Sequence, residues 1–452
     1  MTRDLTTGSP MRLIWSFALP TLFGMLFQQF YNMMDTMIVG QLLGASALAS
    51  VGSTSSINFF VIGFCMGVCN GFAIPVAQRM GAGDYSQMRR CVANAGWLSA
   101  LFAVVLTVFT GLFCRTILTV MRTPEDIFDG AYWYILIIFL GIPTTFLYNL
   151  LAAVIRALGD SKTPVYFLAI SSVLNIPGPA PDPVLPCRRG RGRSGHRHLP
   201  GCVRSGLPGL YGQAFPHPPH DSGGAAAGWP HLPHPLSHGH SHGTSVLHHR
   251  HRLLQSAVNG LGSRYVASVA AGTKLFQVIC CPFDAMGATM ATYCGQNVGA
   301  IKLDRLGQGL RACSLLGLGY ALLSFAAIFF FAQMALLFLN PGEEALIGYT
   351  AQYITTLGAF FFPLALVNIL RFSIQGMGFS NLAILAGVME MFARMGVATL
   401  LVPAIGYTGA CFASPAAWIC ADLFLIPASC WSIAHLRRVY GQPGERSGSP
   451  AP

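Results

Sequence analysis

Apolar residues in this chain come in long unbroken blocks, not in the alternation of a strand or the single stripe of a soluble helix. About twenty apolar residues at 1.5 Å rise cross the roughly 30 Å hydrocarbon core of a bilayer. The pattern predicts such spans near residues 13–41, 57–76, 92–116, 132–155 and 164–176. They resume near Leu253 and continue at 275–293, 312–339, 349–371, 382–402 and 411–433. Eleven spans are visible, and the charges between them show that one is missing.

Arg3 and Arg12 precede the first span, Arg79, Arg89 and Arg90 follow the second, and Arg156 and Lys162 follow the fourth. Lys302, Arg305 and Arg311 share one later loop, and Arg437, Arg438 and Arg446 form the tail. The intervening connections are neutral (40–49), acidic (Glu343, Glu344) or mixed (115–129). Basic connections stay in the cytoplasm, so both termini are expected there and the number of spans is even, with twelve the natural total.

The second half repeats the first. Residues 43–51 (LGASALASV) align with 261–269 (LGSRYVASV), and at the same spacing Gln78–Ala82 meets Gln296–Ala300. Gly159-Asp-Ser161 then meets Gly378-Phe-Ser380, one residue out of step. Six spans per half give both halves the same orientation, as parallel repeats about an axis along the membrane normal. The expected fold is therefore an all-α polytopic membrane protein of two six-helix lobes related by pseudo-two-fold symmetry. One lobe covers residues 1–176 and the other 253–452.

Residues 177–252 break the pattern. Thirteen of the 28 prolines, twelve of the 13 histidines, eight arginines and only two acids fall here, so no membrane helix can form. The segment nonetheless begins inside a span and replaces about two spans that the repeat requires. Arginine and glycine codons of the CGN and GGN type, read one base later, begin with G and encode Ala, Val, Gly, Asp or Glu. Residues 187–194 (CRRGRGRS) then become a small apolar run, and His248–His251 becomes Ile or Thr around one small residue. The expectation is a shifted reading frame over 177–252, from a lesion in the gene or an error in its reading. A genuine His-rich, zinc-binding loop is the competing reading, and a zinc transporter the function that would go with it.

Composition agrees with the pattern. The chain is 53% hydrophobic and 10% charged with mean hydropathy +0.55, whereas soluble domains carry about 25% charged residues. The anomalous segment supplies six of the eleven excess positive charges, so no nucleic-acid partner is expected. The thirteen cysteines show no repeated pairing and read as small buried hydrophobes of an inner-membrane protein with no cofactor. No cleavable leader is expected, because the first apolar block is too long.

Asp35 stands deep in the first span among Met33, Met34, Met37 and Ile38. A mid-span acid costs on the order of 2.5–3.5 kcal/mol on insertion scales and is kept where it faces a cavity and carries a proton or cation. An acid at the helix end, in headgroup water, is the alternative. Gln28, Tyr31, Asn32 and Gln41 mark a wet face and candidate substrate cleft, while Phe27, Phe30, Phe59 and Phe60 read more simply as packing. Glu390 and Arg394, four apart, are expected to form a self-neutralised structural pair. Arg371 and Asp284 are given no role, and Asp422 is a weaker second titratable group. No nucleophile–base pair or metal-ligand cluster falls within a span, which argues against an enzyme.

Several stretches resemble the multidrug and toxic compound extrusion (MATE) family. They are Pro20 with Tyr31–Asp35, Ala77–Asp84, Arg156–Pro164 (RALGDSKTP), Leu254–Asn259 and Gly295–Ala300 (GQNVGA). The resemblance implies two six-helix lobes around a V-shaped cleft and a monomer in the lipid of a bacterial inner membrane. It further implies export of small amphipathic, cationic compounds by proton or sodium antiport. Asp35 matches the family's coupling acid, and Asn175 an asparagine of its first-lobe cation site. The aspartate that one branch places four residues later is Pro179 here, so the site as written is incomplete. A flippase or exporter of lipid-linked saccharides from the same superfamily is the alternative function.

Overall fold

The structure is a computed structural model that describes residues 4–121, 125–174, 263–331 and 344–440. Residues 31–53, 55–56, 59, 125–127, 171–174, 263–264, 266–267, 331 and 344–346 contribute backbone only. The described part is helical with no strand. One compact unit holds Met1–Val165 and Pro235–Pro452. Tyr166–His234 is assigned to a second, of which only Tyr166–Leu174 is described. The segment 177–252 lies outside the described residues.

Helical backbone runs without a break through α1, Pro10–Gly81, with proline pre-set for a helical first turn. Seventy-two residues in a straight helix would reach about 108 Å, several times a bilayer. The ends show that α1 is not straight. Leu5, just before it, donates its N–H to Gln296 Oε1 at 3.0 Å. Gly81, its last residue, packs against the carbonyl of that same Gln296. The chain therefore reverses within α1, and its arms, Pro10–Phe30 and Phe60–Gly81, are each long and apolar enough to cross a membrane. The sequence pattern predicts a loop at 40–49, but helical hydrogen bonding continues there. The stretch has no proline, and its three Leu and three Ala are good helix formers beside Gly40 and Gly44, which cost about 1 kcal/mol each without ending a helix.

Both arms have an apolar buried face. Ile14 and Phe17 of the first join a core with Phe283, Met290, Leu306, Phe361, Ile369 and Trp418. Val61, Cys65, Val68 and Val76 of the second join another core with Phe139, Ile142 and Phe146. Other large side chains point outward, among them Trp97, Leu112, Phe330 and Leu423. That is the surface a helix presents to lipid tails. Among the described residues seven helices can cross a membrane, or nine when two bent pairs are each taken as one span.

The other helices follow the predicted order. α2 (Tyr85–Leu112) and the short α3 (Cys114–Val120) precede α4 (Glu125–Leu140) and α5 (Ile142–Ala157), and α6 is Thr163–Leu174. In the second half come α7 (Ser263–Gly299), α8 (Asp304–Phe331), α9 (Glu344–Ala359), α10 (Phe361–Gly376) and α11 (Ser380–Gly396). A π-helical turn, Val397–Leu401, extends α11 into α12 (Val402–Ile405), and α13 (Tyr407–Cys411) leads to α14 (Ala413–Tyr440).

The repeat seen in the sequence is a repeat of backbone. α4 and α5 form a span bent by 46° at Gly141, and α9 and α10 one bent by 53° at the equivalent Phe360. α5 ends in a turn whose Gly159 has φ 89°, and α10 in the same turn with Gly378 at φ 98°. Helix α1 closes with Ala82 donating to Gln78 and Asp84 to Arg79. Helix α7 closes with Ala300 donating to Gln296 and Lys302 to Asn297.

Candidate functional site

Of the residues expected at the coupling site, Asp35 is placed on α1 with its side chain outside the described residues, as are the cleft candidates Tyr31, Asn32 and Gln41, and Asn175 lies outside them altogether. Gln28 is exposed on the first arm. Beside it runs a stripe of exposed side chains, Trp15, Leu19, Phe23, Phe27 and Phe30, three or four residues apart. Phe60 packs into the first-half core, as the simpler reading expected. Phe27 and Phe30 do not, being 45% and 56% exposed.

The second half contains polar chemistry that local sequence pattern does not single out. Lys274, Gln277 and Asp284 are exposed on α7, three and seven residues apart, so they share one helix face. No ion pair holds Asp284 among the described residues. Lys274 lies ten residues away, about 15 Å along the axis. A carboxylate exposed halfway along a spanning helix faces water, because lipid would not tolerate it. At the equivalent level of α1 the exposed residues are Met66 and Asn70, and Arg156 Nη2 donates to Asn70 Oδ1 at 3.2 Å.

Inside the second half, three helices bring four charges together. Arg371 of α10 pairs with Glu390 of α11, and Arg394, one turn further along α11, lies 3.7 Å from the other Glu390 oxygen. Asp422 of α14 is buried beside Arg371, and its Oδ1 has no hydrogen-bond partner among the described residues. Basic and acidic side chains alternate along the group, Arg394, Glu390, Arg371, Asp422. Spacing alone suggested only the i,i+4 pair, because Arg371 and Asp422 are remote in sequence. The one available signal was that α10 and α14 each carry a charge in an otherwise apolar block.

RALGDSKTP, the most specific motif in the sequence, folds into a turn and a helix cap. Gly159 takes the left-handed conformation. Asp160 then accepts hydrogen bonds from the Lys162 N–H (2.9 Å), the Thr163 N–H (3.1 Å) and the Thr163 hydroxyl (2.8 Å), capping α6. Partial burial pulls the Asp160 carboxyl upward, but those bonds outweigh it and leave the carboxyl below its ordinary 3.8. Asp4 behaves alike. Burial raises it, and hydrogen bonds from Thr6 and Thr7 with the charge of Lys302 bring it below 3.8.

A family model described as MatE matches residues 20–179 and 252–400. Among relatives, the probable multidrug resistance protein YpnP of Bacillus subtilis is 29% identical over 314 residues, 66% of this chain and 67% of its own length. The probable multidrug resistance protein YoeA of the same organism is 33% identical over 176 residues, a match spanning 39% of this chain and only 38% of that relative. The crystal structure of MATE in complex with MaL6 superposes with a TM-score of 0.76 at 17% identity, covering 97% of this chain and 100% of that one. The shared feature at that distance is the fold.

Proposed function

The chain belongs to the MatE family of multi-pass membrane transporters, and from that premise we propose that it exports small amphipathic cations by proton or sodium antiport. The observation that carries this reading is the pairing of equivalent backbone elements in two halves, the bent spans and the paired helix ends. Two matching halves can rock about a shared axis and present one cavity to either side of the membrane in turn. Asp35 is the proposed loading point. Protonation neutralises it, deprotonation restores a negative charge, and a cation and a proton compete for the same carboxylate. One entering ion exchanged for one exported cation moves no net charge, so the ion's concentration gradient drives the cycle at about 1.4 kcal/mol per decade, and the potential adds about 2.3 kcal/mol per 100 mV only when a second ion enters.

The exposed face of α7 adds an acid, Asp284, about 15 Å along the axis from Lys274 on the same face. A saccharide-phosphate carrier instead calls for a cavity lined by Arg and Lys. Arg371 and Arg394 do not supply one, being turned onto the buried carboxylate of Glu390. Among the described residues no group of His, Cys, Asp and Glu is arranged to hold a metal, and the His tract lies outside them. The family match breaks off over residues 180–251, close to the proposed frame shift. We place the protein in a bacterial inner membrane with both termini cytoplasmic. Ethidium efflux from vesicles, with pH and sodium gradients imposed separately, tests the reading. A chain with the frame restored should export ethidium under one gradient and the chain as written under neither. Export by the chain as written, or by neither, contradicts it.

A further inference from the structure

Two glutamines at equivalent positions reach across between the halves. Gln78, in the last turn of α1, donates its Nε2–H to the carbonyl of Gly376, the last residue of α10, at 3.1 Å. Gln296, in the last turn of α7, donates its Nε2–H to the carbonyl of Ala157, the last residue of α5, at 2.9 Å. Carbonyls in the last turn of a helix have no partner within it, and here a side chain from the other half supplies one. The backbones beneath are in contact. A Cβ on Gly81 would collide with the Gln296 carbonyl, and one on Gly299 with the Gln78 carbonyl. Ala77 would stand 3.0 Å from a Cβ on Gly295. Each contact has its mate under exchange of the two halves.

The N-terminal segment adds a strap on one side. Gln296 Oε1 accepts the Leu5 N–H, and Asn297 Nδ2 donates to the Leu5 carbonyl at 3.2 Å. Lys302 holds the Thr6 carbonyl at 3.0 Å, and Arg305 the Gly8 carbonyl at 2.9 Å. Gln296 therefore ties the strap and the first half to α7 at once, and it is almost completely buried.

We propose that Gln78 and Gln296 are positioning residues of a two-fold latch that holds the arginine-rich ends of the two halves together in this conformation, and that the latch opens when the cavity turns to that side. The second clause rests on the transport reading; the crossed hydrogen bonds and glycine contacts stand without it. Glutamate is the informative replacement. It matches glutamine in size and keeps an acceptor, but when ionised it has no proton to donate and repels the carbonyl. When protonated it donates again.

The test is hydrogen–deuterium exchange on the full chain in nanodiscs, corrected for the intrinsic effect of pH. At pH 9 Gln78→Glu should speed exchange about tenfold, roughly one hydrogen bond's worth, in residues 376–381 of the other half. Gln296→Glu should do the same in residues 157–162. Burial beside a carbonyl raises a glutamate above its ordinary value of about 4.3, so both should recover protection as pH falls from about 9 to about 4, whereas Gln78→Ala and Gln296→Ala should not. Protection in α14 serves as the control for folding. Faster exchange confined to the substituted helix, or Glu variants indifferent to pH, overturns the latch. In the frame-restored chain, ethidium export unchanged by variants that loosen the contact overturns its role in transport. Loosening without export even in the parent leaves the latch and sinks the transport reading.

Discussion

Gly83 and Ile301 occupy the same position in the two halves, and only one of them suits it. Both follow a spanning helix and both adopt positive φ, 71° and 56°. Glycine does so at no steric cost, while a β-branched residue there is an outlier. The difference extends inward. At the spacing that pairs Gly159 with Gly378, Arg394 falls opposite Asn175, Glu390 opposite Ser171 and Arg371 opposite Ala152. Where family resemblance implies a cation site in the first half, the second half carries a tethered guanidinium against Glu390. The halves share a backbone plan and differ in charge chemistry. Symmetry of fold therefore does not require two loading points.

The largest effect should come from breaking the buried charges. Glu390→Gln leaves two guanidiniums without their shared carboxylate. Removing one partner of a buried pair costs about 3–5 kcal/mol, so the thermal midpoint in detergent should fall sharply. The equivalent Ser171→Ala should leave it nearly unchanged. Next comes the turn pair. Ile301→Gly should stabilise the chain, and Gly83→Ile should destabilise it by about 1–2 kcal/mol, the cost of left-handed backbone. Equal responses at the two positions would show that the strain is not real.

The smallest effect is the cap on α6. Asp160→Ala should cost about 1 kcal/mol, whereas the equivalent Phe379→Ala removes no cap. The carboxyl of Asp160 is held below its ordinary 3.8 by its bonds to Thr163 and Lys162, against the pull of burial. Its contribution is therefore complete above pH 3.8 and is lost as pH falls through the lower folded value. A thermal midpoint measured from pH 6 down to pH 3 should drop less in Asp160→Ala than in the parent.

Much of this architecture was legible beforehand because membrane spans announce themselves by block length and the repeat by small residues. Gln78–Ala82 and Gln296–Ala300 were aligned from sequence, and they turn out to face each other. Their contact was not predictable, since nothing in a local pattern says which two helix ends meet. The reversal inside α1 is expected as a loop and is carried by helical backbone, because Leu and Ala outweigh Gly40 and Gly44 and no proline is present. Glu390 with Arg394 was visible from spacing. Arg371 and Asp422 joined them only through the packing of α10, α11 and α14. Asp284 is exposed on the polar face of α7, a placement that an apolar block pattern does not reveal.

The most direct test of the account is proton- or sodium-driven ethidium efflux in the frame-restored chain carrying Asp35→Asn, beside Arg394→Gln. The account predicts that Asp35→Asn abolishes efflux at unchanged membrane abundance, while Arg394→Gln retains it wherever the protein folds. Full efflux from Asp35→Asn would contradict a single loading point in the first half.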